Sequence, residues 1–105
     1  MIDPHSIVIA TFISPRERIW DELVRIRPEG VTLRGINLDS FDEFLQQPLR
    51  EGTCELCMAT AFYPVHRVER IALDEAAGPE PSLSDIFHER GGMTVQEYLG
   101  IPATS

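Results

Sequence analysis

The sequence contains no lysine: its nine basic residues are all arginines, set against seventeen acidic residues for a net charge of -8. Nucleic acids and anionic membrane surfaces are held mainly by cationic side chains, so this balance disfavours both classes of partner unless the arginines gather on one face. Long apolar runs are missing as well. A bilayer-spanning helix needs about 20 apolar residues, and the stretch from Ile7 to Ile13 is far shorter and is interrupted by Thr11. A secretion signal would need a positively charged start, whereas Asp3 is the only charged side chain ahead of that stretch, so a cytoplasmic protein is expected. In a reducing compartment the two cysteines are expected to remain thiols, so no disulfide framework is implied. Catalytic templates are lacking too. There is no phosphate-cradling glycine loop, no Gly-x-Ser-x-Gly and no His-Glu-x-x-His, so the expectation is a protein that is not an enzyme and carries no cofactor.

What remains has the makeup of a folded domain. Hydrophobic residues at 43% and charged residues at 25% lie well away from disordered compositions. At 105 residues there is room for one core, so residues 1–105 are read as a single domain. It divides into a strand-rich part over about 6–75 and a helical C-terminal segment over about 82–100.

Ile7 to Ile13, rich in β-branched residues and closed by Ser14-Pro15, predicts a buried strand. Residues 15–22 read two ways. Ser14, Pro15 and Glu17 have the spacing of a capped helix start, with Ile19, Trp20, Leu23 and Val24 on one face; equally, the whole stretch from Arg18 to Leu38 fits one long hairpin. Pro28-Glu29-Gly30 supplies turn chemistry between Val24-Arg25-Ile26 and Val31-Thr32-Leu33, bringing Ile26 near Val31 and Val24 near Leu33 and placing Arg25 and Thr32 on the opposite side. A short helix through Phe41, Phe44 and Leu45 is capped by Asp39 or Ser40 and stopped by Pro48. Strands follow over Cys54 to Phe62 and from Val65 to Leu73. Ser82 caps a helix from Leu83 to Arg90 that Gly91-Gly92 ends, and Thr94 with Glu97 opens a last turn ending at Gly100.

Glu29-Gly30-Val31-Thr32-Leu33-Arg34-Gly35, then Ser40-Phe41-Asp42-Glu43-Phe44, then Tyr63-Pro64-Val65-His66, resemble the successive motifs of Sm-like proteins of the Hfq type over residues 23–73. The spacing is one residue longer before Ser40, one residue is inserted in the histidine motif, and that motif's lysine is absent. The resemblance implies an open five-stranded barrel, so with the elements read above the expected fold is α+β, a small open antiparallel β-barrel, Sm-like or SH3-like, with short helices and a helical C-terminal appendage. It also implies assembly into a ring or smaller oligomer.

Among chemistry-bearing residues, Cys54 and Cys57 form a Cys-x-x-Cys pair. A zinc site would need two more ligands, and His5, His66 and His88 stand at irregular spacings, so the pair reads as incidental or structural ahead of zinc-binding or thiol-dependent chemistry. Arg25, Arg27 and Arg34 form the local basic concentration of one hairpin. His66 and Arg67 sit on a strand whose apolar spacing calls for a bulge. The acidic pairs Asp21-Glu22, Asp42-Glu43 and Asp74-Glu75 read as solvated faces, and Trp20, Phe41 and Phe44 as core. The expected function is a non-enzymatic binding or assembly module that self-associates or takes a protein partner. The alternative is an Sm-like RNA-binding protein using Arg25, Arg34, Tyr63, His66 and Arg67.

Overall fold

The structure is a computed structural model in which residues 2–47 and 57–101 are described. It is an α+β fold of five antiparallel strands and short helices. The strands are β1 (Ile7–Phe12), β2 (Glu17–Arg27), β3 (Gly30–Asn37), β4 (Ala59–Pro64) and β5 (Val68–Leu73); helix α1 (Phe41–Gln46) lies between β3 and β4, and α2 (Leu83–Gly91) and α3 (Val95–Leu99) follow β5.

Residues 15–22 are not helical: the chain from Glu17 on is strand. A capping box contributes about 1 kcal/mol, whereas burying one large apolar side chain contributes about 1.5–3 kcal/mol. As strand, β2 buries all five residues from Ile19 to Leu23, using both of its faces. β1 pairs with it from Ile7 opposite Glu22 to Phe12 opposite Glu17. Pro28 and Glu29 turn the chain into β3, with Arg27 opposite Gly30, Ile26 opposite Val31 and Arg25 opposite Thr32. Beyond that point a bulge takes up Val24, so Leu33 faces Leu23 and not the expected Val24.

The sheet order is β4-β3-β2-β1-β5, so the two outermost strands are consecutive in the chain. Only a 3₁₀ turn, Val65–Arg67, joins them. A flat sheet would hold its edges about 19 Å apart, four spacings of about 4.8 Å, while the four steps from Pro64 to Val68 reach at most about 14 Å. The sheet therefore curls on itself. No ladder joins β4 to β5 among the described residues, so it is not closed.

Curling gives the sheet two cores. Val8, Ala10, Phe12, Ile19, Leu23, Val31 and Leu33 fill the concave face, with Tyr63, Val68, Ile71 and Leu73 packed against them. On the convex face Ile7, Trp20 and Ile36 meet Phe41, Phe44 and Leu45 of α1, Phe87 of α2 and Val95 of α3. Trp20 sits edge-on to Phe41, with ring centroids 5.1 Å apart. Both C-terminal helices start as read, with full capping boxes of Ser82 with Asp85 and Thr94 with Glu97. Gly92 and Gly100 end them in the left-handed region that glycine tolerates best.

Two boundaries shift. Cys54 to Phe62 was expected to form one strand, but β4 begins at Ala59; residues 48–56, Pro48 and Cys54 among them, lie outside the described residues. Val65 to Arg67 forms a 3₁₀ turn rather than the start of a strand. This turn is what brings β5 round to the far edge.

Candidate functional site

The five residues suggested as ligand contacts do not share one surface. Arg34 lies on the convex face, where its Nε and Nη2 donate to Glu22 Oε1 at 3.1 and 2.8 Å and Nη2 also donates to the Leu99 carbonyl at 2.7 Å. Glu22 Oε2 meets His5 Nδ1 at 2.6 Å. This buried carboxylate thus ties the N-terminal segment, β3 and the end of α3 together.

Tyr63 and Arg67 come together at the opposite, concave side. The Tyr63 ring stacks on Phe12 with centroids 4.0 Å apart. The Arg67 guanidinium lies 5.6 Å from the Tyr63 centroid and 5.8 Å from that of Phe12. It donates to the carbonyls of Ile13 and Pro15, each at 2.9 Å, and to Glu17 Oε2 at 2.8 Å. Burial, and after it the Glu17 carboxylate, pushes the Tyr63 hydroxyl above its ordinary pKa, with Arg67 pulling the other way. Arg67 is therefore a clamp holding the β1–β2 turn against the 3₁₀ turn.

Arg25 and His66 are exposed, as is Arg27. Arg25, Thr32 and Phe62 form one cross-strand row. Phe62 is 54% exposed on β4, its ring lying so close over Gly30 that a Cβ there would come within 2.7 Å of it. Val65 and Ile26 are similarly exposed nearby. β4 is an edge strand, and its six residues, Ala-Thr-Ala-Phe-Tyr-Pro, carry no charge. Natural edges are usually blunted by charge, bulge or cover, so this one is a candidate contact surface.

Sequence reasoning missed two buried acids. Glu22 is 3% exposed and Asp21 wholly buried, against the reading of that pair as a solvated face. The Asp74 carboxylate is also committed, accepting from Trp20 Nε1 at 3.0 Å, from the Leu83 and Ser84 amides at 2.8 Å and from Ser84 Oγ at 2.7 Å. Asp42 and Glu43 are exposed as expected.

Asp21 differs from the others in having no side-chain partner. It lies on the concave face in the row Val8, Asp21, Gly35, Ala59, and neither carboxylate oxygen makes a well-formed hydrogen bond, the Ala10 backbone amide bearing on it without one. Burial raises its pKa to about 8, opposed by the Ala10 backbone amide and reinforced by the adjacent Glu22 charge. A Cβ on Gly35 would fall 2.3 Å from Asp21 Cβ, so glycine makes room for the acid. Strand alternation around Ile19 and Leu23 was the available signal, since it puts Asp21 on their face.

Cys57 is disulfide-bonded, contrary to the expectation of thiols. The other member of the motif, Cys54, lies outside the described residues. Among the described residues no group of three or more His, Cys, Asp or Glu side chains could hold a metal ion, and no helix is long and apolar enough to cross a membrane. Comparison with known proteins finds no matching family model, no similar curated protein and no similar solved structure.

Proposed function

We propose that this protein is a small, non-enzymatic binding and assembly module built on an open, Sm-like or SH3-like barrel, and that copies of it associate through the β4 edge. The single observation carrying this reading is the uncharged, exposed edge strand bearing Phe62. Unpaired backbone groups on such an edge are satisfied by adding a strand, and the exposed aromatic contributes apolar area once covered. The consecutive edge strands and their 3₁₀ link support the barrel-like description.

Sedimentation tests it. The purified chain should run above the 11.8 kDa monomer mass, and Phe62→Lys, which puts a charge on the edge, should shift it towards monomer. A monomer at high protein concentration would sink the proposal.

A second reading, recognition of single-stranded RNA, draws on Phe62 beside Arg25 and Arg27, an exposed ring on which a base can stack near cations. It calls for affinity that falls steeply with salt. Oligonucleotides that remain unbound even at low salt would eliminate it.

A further inference from the structure

A second group of arginines surrounds the β1–β2 turn. Arg16, Arg18, Arg67 and Arg70 lie around the β1–β2 turn and the start of β5, together with Glu17 and Glu69. Both glutamates are already engaged: Glu17 by Arg67 at 2.8 Å and Glu69 by Arg16 at 3.3 Å. Arg18 and Arg70 are left with no ion pair or side-chain hydrogen bond among the described residues. In a chain of net charge -8, this end of the sheet holds a surplus of two positive charges.

The two unengaged arginines are placed by the strand register. Thr11 on β1 pairs with Arg18 on β2 and with Arg70 on β5, so all three side chains leave the same, convex face in one row. The arginines are exposed and Thr11 is 3% exposed between them. Partners across a ladder stand about 4.5–5.5 Å apart, which sets the two arginine Cα atoms about 10 Å apart with a hydroxyl-bearing residue midway. The neighbouring convex row, Trp20 with Ile9 and Ala72, is apolar, and no carboxylate belongs to the arginine row itself.

We infer that Arg18 and Arg70 form a two-armed oxyanion site over Thr11 that takes a phosphate-like dianion, free or as a terminal monoester. A guanidinium presents its N–H groups as a planar fork matched to phosphate oxygens, and two long side chains standing on either side of Thr11 can both reach one group, which suits a doubly charged ligand better than a single carboxylate. The Thr11 hydroxyl, able to donate, completes the floor. The site lies on the convex face at the β5 edge, shares no residue with the β4 surface and does not depend on the assembly reading.

Titration calorimetry at fixed ionic strength, with the full chain and inorganic phosphate and then glycerol phosphate as probes, tests it. Saturable binding is expected, weakened tenfold or more by either Arg18→Gln or Arg70→Gln and changed less than twofold by Arg25→Gln or Arg27→Gln, which remove the same charge elsewhere. Tighter binding of glycerol phosphate than of free phosphate would assign the esterified source, and the reverse the free ion. No saturation with either probe, or equal losses in the Arg25 and Arg27 variants, overturns the site.

Discussion

Replacing Asp21 with asparagine should stabilise the protein relative to its parent, by an amount that grows as the solution becomes more alkaline and that can be worked out beforehand. In the unfolded chain this carboxyl releases its proton near its ordinary value of 3.8, whereas in the folded state burial holds the proton until about pH 8. Between those values the unfolded chain binds fewer protons than the folded one, so stability is complete below about pH 4 and declines as pH rises, levelling off only above about 8. The groups acting on it are the Ala10 amide, which opposes the shift, and the Glu22 carboxylate, which adds to it. At about 1.36 kcal/mol per pH unit, the loss between pH 5 and 8 comes to about 4 kcal/mol, a large part of the 5–15 kcal/mol total of an ordinary domain. The substituted asparagine would have the shape of the protonated acid and no proton to lose, so the variant's stability lacks this slope. Urea unfolding of both forms at half-unit intervals from pH 5 to 8 should give stabilities that diverge steadily, the variant gaining about 4 kcal/mol on the parent across that range. Groups common to both proteins cancel in the difference. Parallel curves would show that Asp21 titrates normally and that the buried, unpartnered geometry is mistaken.

Two other substitutions probe the joints of the fold. Arg67→Ala removes three side-chain hydrogen bonds and the guanidinium lying over the Phe12 and Tyr63 rings, and should cost about 2 kcal/mol in urea unfolding. Asp74→Ala leaves the α2 amides and the Trp20 indole N–H without their acceptor; a loss of about 2–3 kcal/mol and an altered Trp20 fluorescence spectrum are expected.

How much of this could be read from the residues depended on how locally each feature is determined. Ser82 with Asp85 and Thr94 with Glu97 each satisfy amides within their own first turn, and both helix starts were legible. Pro28-Glu29 likewise fixes its own reversal, and the Ile26–Val31 pair beside it and the shared opposite face of Arg25 and Thr32 followed. Register was lost one step further on, at Val24, because a bulge is decided by packing across the sheet. The segment from Pro15 to Glu22 carried real helix-start chemistry that two neighbouring strands overrode. Asp21, Glu22 and Asp74 escape a local reading for one shared reason: charge by itself points to solvent, while their surroundings are supplied by residues far away in sequence. Arg34 and Arg67 looked available on the same grounds, and each turned out to be holding distant segments together.

The position of β1 constrains the order in which the chain can assemble. It lies between β2, its immediate successor, and β5, where Val8 meets Leu73. During synthesis the first strand can zip onto β2 early, yet its other flank stays bare until almost the whole strand region has emerged from the ribosome. Such distant pairing is slow to form. A fragment ending before Leu73 would leave an inner strand open to any passing chain, so premature termination should produce aggregates rather than a smaller folded protein.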